Sequence, residues 1–323
     1  HPPAAALAFQ QQQPSAAFIA RRAANTQQEG TSRMRLYSSS ISSSSSNKAV
    51  QELMAEFDPI LLYVSRLLPP ETAKEAGALY AWCRRLDEIC DAVGADTTVT
   101  QRKLDEWESR LDELWIGNPV DDLDAALADC VTSNDLSKVP FRDMIAGMRS
   151  DAVDNRRVEN MEELEEYAYQ VAGTVGLMLL PLLQAPQEAR EPAIALGKAI
   201  QLINILRDAS PDVALGRIYL PQDLLKAQNV LEEDVMARKS SKGYRVVTKL
   251  VSERAGQLLE QAEEGKTALP GLGPLLVQII VELYRGYLEE LERREYDNLT
   301  VSGERVKIST TRKLLASFTA ITK

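Results

Sequence analysis

The stretch Gln201-Leu202-Ile203-Asn204-Ile205-Leu206-Arg207-Asp208-Ala209-Ser210-Pro211-Asp212 decides the fold. At about 100° per residue, Asn204, Asp208 and Asp212 share one face of a helix, with Arg207 next to the first aspartate. Leu202, Ile203, Ile205 and Leu206 surround that polar strip. Polar groups set among apolar ones point to a filled interior site, because an unpartnered buried carboxylate is costly. Asp208 and Asp212 lie one turn apart, roughly 5–6 Å between Cβ atoms. Two carboxylates that close repel each other, and a divalent cation is the ordinary remedy.

A second acidic pair stands earlier, in Tyr80-Ala81-Trp82-Cys83-Arg84-Arg85-Leu86-Asp87-Glu88-Ile89-Cys90-Asp91. Tyr80, Arg84, Asp87 and Asp91 fall along one helical stripe. Alone, this spacing describes many solvated helices. Paired with the first stretch, it predicts two helices facing across a hollow, with four carboxylates between them. Oxygen-only ligands of this kind favour Mg²⁺, with Mn²⁺ as the other candidate. Cations held there would grip a diphosphate, and arginines would take its remaining oxygens.

Around these two stretches the chain reads as helix after helix. Apolar residues recur at three and four over 49–68, 71–93, 101–116, 161–180, 192–208, 244–266 and 275–292. Breakers fall at Pro69-Pro70, Gly117-Asn118-Pro119, Pro140, Pro181 to Pro192, Pro221 and Pro270 to Pro274. The expected fold is all-α, one helical bundle over 49–323 around a central cavity. The acid-rich stretches 105–113 and 159–166 read as solvated helix faces. In Tyr169-Gln170-Val171-Ala172-Gly173-Thr174-Val175-Gly176, two glycines within one turn need a reason, since each costs about 1 kcal/mol relative to alanine. Close helix packing is one reason, and room for a long apolar ligand is the other.

Composition narrows the chemistry. The 323 residues carry 37 basic and 47 acidic side chains, a net charge of −10, which disfavours nucleic acid as a partner. The one histidine is His1, so a Ser/His/Asp triad or histidine-based zinc site in the folded body is excluded. Cys83, Cys90 and Cys130 are too scattered for a disulfide framework. Residues 1–48 run against the overall charge, with five basic residues and one acid, Glu29. They end in serines from Ser38 to Ser46, broken by Ile41. This is the composition of a disordered organellar transit peptide. Ala6-Leu7-Ala8-Phe9 points to a plastid, and Arg35-Leu36-Tyr37-Ser38 to a mitochondrion as the alternative.

The blocks Tyr80–Asp91, Pro140–Asp151, Val171–Met178, Asn204–Asp208 and Gly216–Asp223 together resemble the squalene/phytoene synthase family of all-helical isoprenoid synthases, its phytoene-forming branch in particular. They occur in family order and span nearly all of 50–323. The resemblance implies head-to-head condensation of two geranylgeranyl diphosphates through a cyclopropyl diphosphate intermediate, with no NADPH. It implies Asp87, Asp91, Asp208 and Asp212 as metal ligands. Tyr80, Arg84, Gln201, Asn204, Arg207 and Tyr219 match positions around the diphosphates, with Arg217 and a late arginine, Arg305, beside them. Tyr169, Ala172, Gly173, Val175 and Gly176 match the cavity wall near the reacting carbons. Peripheral membrane contact would release so apolar a product.

Three departures keep a second class of function open. Ile60 and Leu61 stand where the family usually has a Ser-Phe pair. Pro211 replaces an acid within the second motif, and a helical proline takes away an amide donor. The basic stretch before Gly216 is reduced to Val213-Ala214-Leu215. A family member that has lost catalysis and works as an organellar assembly or binding protein would also fit these changes.

Overall fold

The computed structural model describes residues 43–57, 68–90, 96–300 and 305–309. The all-α expectation holds, and no strand forms among these residues. One isolated parallel bridge joins Arg157 to Ile218. No described helix is long and apolar enough to cross a membrane.

Twelve α-helices are described. They are α1 (Ser43–Phe57), α2 (Pro70–Cys90), α3 (Thr97–Trp115), α4 (Asp122–Asn134), α5 (Val139–Asp151), α6 (Met161–Ala168), α7 (Thr174–Leu182), α8 (Arg190–Ala214), α9 (Gln222–Ala227), α10 (Glu232–Met236), α11 (Lys242–Gly265) and α12 (Gly273–Arg293). Side-chain caps start four of them. Asp96, Asp121, Asn160 and Ser241 accept from the amides of Thr98, Asp124, Glu163 and Tyr244. Each such cap satisfies an amide that the helix leaves without a partner. The prolines at 140 and 274 sit in the first turns of α5 and α12, where the missing N–H costs nothing.

Two findings depart from the expected boundaries. The domain edge expected at 48/49 falls inside α1, which begins at Ser43. Ser46, Val50 and Met54 recur every four residues and are all buried. A small serine can therefore belong to the packed face as well as to the serine run. The helix expected over 161–180 is interrupted by a π turn at Tyr169–Gly173. The extra residue in that turn changes which side chains of α6 and α7 share a face.

The apolar interior has two parts. One gathers α1 to α5 around Trp82, Trp107, Phe141, Leu86 and Leu104. Trp82 meets Phe141 edge-on at 4.9 Å between ring centroids. The other gathers α6 and α8 to α12 around Leu202, Ile203, Leu206, Val251, Tyr244 and Tyr284. α7 joins them, because Met178 and Leu182 pack into the first part while the helix itself lies along α8. α2 packs on α5 and α7, and α8 packs on α7 and α11. The helices carrying the two acidic motifs therefore share α7 as a neighbour.

Candidate active site

On α8 the charges are closely interlocked. Arg207 is only 5% exposed, and its guanidinium grips the next residue, Asp208, in a fork: Nε to Oδ1 at 2.9 Å and Nη2 to Oδ2 at 2.7 Å. Arg305 reaches the same carboxylate, Nε to Oδ1 at 3.1 Å. The Arg207 guanidinium also lies 5.9 Å from the centre of the Tyr287 ring. Such charge-assisted forks are stronger than neutral hydrogen bonds.

Asp212, one turn on, has a different environment. Burial, and next the neighbouring Asp208 charge, push its carboxyl up to about 7, against the pull of Arg217. Asp151 at the end of α5 adds to the negative field there. Asp151 accepts the Tyr219 hydroxyl at 2.5 Å and lies 3.7 Å from Arg217. Tyr219 stacks on Tyr167 with ring centroids 5.5 Å apart and planes 17° off parallel. Burial raises both phenols well above their ordinary range. They stay protonated donors at neutral pH. Behind Asp212 a cavity of about 10 Å³, with room for one water, is lined by Ile205, Ala209, Arg217, Tyr219 and Tyr244.

On α2, Tyr80, Arg84 and Asp87 line up as the spacing predicts, all half-buried. Arg84 lies 3.7 Å from Glu88. Asp87 sits close enough to the half-buried Cys83 to add to the desolvation that raises that thiol above its ordinary value. Asp91, Ile60 and Leu61 lie outside the described residues.

Along 167–176 the two tyrosines diverge. Tyr169 faces Asp143. Its hydroxyl donates to Asp143 at 2.7 Å, and its ring lines an open groove of about 780 Å³ with Glu162, Glu166, Ile194 and Lys198. Tyr167 takes the inward place. Gly173 and Gly176 serve close packing. A Cβ on Gly176 would come within 2.8 Å of the Ala193 carbonyl oxygen, and one on Gly173 within 3.0 Å of the Tyr169 ring. Across the interface, a Cβ on Gly197 would overlap the Ala172 carbonyl. The glycines let α8 lie directly on the π turn. Val175 packs toward the first core, and Ala172 contributes backbone to the α8 contact.

Asp151 and Tyr167 were not singled out from sequence. For Tyr167 a signal existed. Leu164, Tyr167 and Ala168 are spaced three and four apart and are all buried. Asp151 closes the Pro140–Asp151 block, but nothing local tells that the end of α5 meets the end of α8.

The donor set suits a hard divalent cation. Asp208 and Asp212 carry adjacent negative charge that Asp212 cannot fully bear, and the Asn204 Oδ1 atom, on the same face, is buried and accepts no hydrogen bond. Among the described residues no three acids already gather for a metal. Gln201 stands one turn before Asn204 on that face and is half-buried.

The family model described as squalene/phytoene synthase matches residues 55–312. The chain belongs to the squalene/phytoene synthase family. Members of this family are divalent-metal-dependent prenyltransferases. It is similar to phytoene synthase 1, chloroplastic, of Solanum lycopersicum, 39% identical over 82% of this chain and 65% of that one. With phytoene synthase 2, chloroplastic, of the same species the identity is also 39%, over 82% of this chain and 86% of the other. For phytoene synthase 1, chloroplastic, of Arabidopsis thaliana it is 41%, over 77% and 60%. The chain thus spans a little under two thirds of the length of the first and third of these. Among solved structures, a dehydrosqualene synthase in complex with ligand superposes with TM-score 0.74 at 28% identity, over 87% of this chain and 96% of that one. A squalene synthase from Alicyclobacillus acidocaldarius shares the fold, with TM-score 0.73 at 23% identity over 79% and 96%.

Proposed function

We propose that this chain is a phytoene synthase, joining two geranylgeranyl diphosphates head to head through a cyclopropyl diphosphate intermediate, with Mg²⁺ or Mn²⁺ and without NADPH. The observation that carries this reading is the cluster on α8, where two carboxylates one turn apart lie among three arginines. A site for a neutral lipid has no use for such charge. A site for a diphosphate held through a cation uses both signs.

Asp208 and Asp212, with Asp87 and Asp91 from the other motif, would hold the metal. Asn204 Oδ1 offers a further oxygen. A bound divalent cation supplies positive charge to a departing diphosphate. Arg84, Arg207, Arg217 and Arg305 bind diphosphate oxygens, with Gln201 and Tyr80 as neutral donors. For Arg207 and Arg305 that means sharing their N–H groups between Asp208 and the substrate. The stacked Tyr167 and Tyr219 present a ring surface that excludes water from a carbocation, and Asp151 fixes the Tyr219 hydroxyl. Val175 and the neighbouring apolar side chains of α7 wall the prenyl chains.

The leader ahead of α1, before Ser43, is proposed as a plastid transit peptide, in keeping with the chloroplastic names of the relatives. The product is apolar throughout, so delivery to a membrane surface by peripheral contact is part of the proposal. The purified chain, given geranylgeranyl diphosphate and Mg²⁺, is expected to form phytoene and release diphosphate. Tight substrate binding without any phytoene would sink the enzyme reading in favour of a binding protein.

A further inference from the structure

Pro211 stands inside α8 and has no N–H. In an uninterrupted α-helix the amide at 211 would donate to the carbonyl of Arg207. Arg207 is buried, so water is a poor substitute. The structure supplies another donor, the Val306 amide, at 3.0 Å from the Arg207 oxygen. Val306 is itself buried, together with Ile308. Without this bond two buried backbone groups would lose their partners.

The neighbouring carbonyl is held in the same way. Leu206 oxygen accepts Asn298 Nδ2 at 2.8 Å, and Asn298 Oδ1 accepts the Tyr244 hydroxyl at 2.9 Å. The residue before Val306 is Arg305, whose guanidinium meets Asp208. Two consecutive residues of the late segment, 305 and 306, thus engage two consecutive residues of the helix, 208 and 207. One contact is between side chains and the other between backbones.

We propose that Pro211 is a positioning residue. By withholding a helical donor it leaves the Arg207 carbonyl for Val306, and this hold sets Arg305 against Asp208, ready to close on a diphosphate. The last step rests on the function proposed above. An amide at 211 would make the Arg207 carbonyl an occupied acceptor, and Val306 would then have to share it.

Hydrogen exchange on the full chain tests the hold without any substrate. In the wild type the Val306 amide is expected to be protected. In Pro211→Ala its exchange should quicken about tenfold or more, with helix content and melting temperature kept. Arg305→Lys should leave that exchange unchanged and raise KM for geranylgeranyl diphosphate more than it lowers kcat. Pro211→Ala should raise KM as well, by about three- to tenfold, and adding Arg305→Lys to it should cost less than it does in the wild type. Wild-type exchange at Val306 in Pro211→Ala would overturn the hold. Fully additive KM effects would overturn the link to Arg305. A wild-type chain that makes no phytoene would instead refute the function, while the exchange result would still judge the hold.

Discussion

The two acidic motifs sit on helices that are secured in opposite ways. α2 is fixed from outside its site-facing stripe. Arg85, next to Arg84, turns toward α4 and binds Asp121 at 2.8 Å and Asp124 at 3.1 Å. Arg110 of α3 completes the cluster on the same two acids, Nε to Asp124 Oδ2 at 2.7 Å, and both guanidinium groups lie over the Trp107 ring. Among the described residues α8 has no comparable ion-pair brace beside its motif: Asn298 and Val306 hold its backbone at 206 and 207, and the motif's own charges hold one another, with Arg207 and Arg305 both on Asp208. The α2 arrangement sets the roll of the helix with residues outside its acidic motif. On α8 the motif residues are engaged with each other.

That contrast can be broken at its strongest point first. Asp87→Asn removes a site-facing charge without touching the brace. It is expected to lower turnover about a thousandfold or more while circular dichroism and melting stay near wild type. Near-normal turnover would take Asp87 out of the metal site. The brace should answer in stability instead. Asp124 is 2% exposed, and Asp124→Ala leaves Arg85 and Arg110 to share Asp121 alone. A loss of about 2–4 kcal/mol is expected in urea unfolding, short of that for a fully unpaired buried charge. A loss below 1 kcal/mol would show that the cluster does not set the position of α2.

The smallest effect concerns Asp212 and has a sign that depends on pH. Its folded value, about 7, lies above its ordinary value of 3.8. The folded chain therefore keeps this proton longer than the unfolded chain does. Its contribution is intact below the ordinary value, is lost as pH rises through the folded value, and then stays level. In metal-free protein, Asp212→Asn should be more stable than wild type at pH 8 by about 1–3 kcal/mol, and the gap should close by pH 4. Parallel stability curves for the two proteins between pH 4 and 8 would show that Asp212 is not a strained charge.

Much of this was legible beforehand, and the reasons differ by residue. The helices followed from apolar periodicity, because a buried helical face must repeat at three and four. The α8 motif stood out because polar residues sat where that repeat demanded apolar ones. Tyr167 and Tyr169 were harder. Residues two apart on a helix point about 200° apart, so only one of them can face inward. The π turn that starts at Tyr169 then shifts the register for everything after it. Gly173 and Gly176 allowed two explanations because a missing side chain makes room for any neighbour, and here the neighbour is another helix. Asp151 and the hold on Arg207 by Val306 depend on chain segments that meet only after folding. No local pattern encodes them.

The contact between Gly197 and the Ala172 carbonyl has a further consequence for the evolution of specificity. Where two backbones already touch, neither wall can retreat by trimming a side chain, since there is none left to trim. The seam between α8 and the π turn is therefore a fixed edge of the volume proposed for the prenyl tails. On the proposed function, acceptance of longer or shorter tails would have to be tuned away from this seam, by side chains that still have bulk to give up.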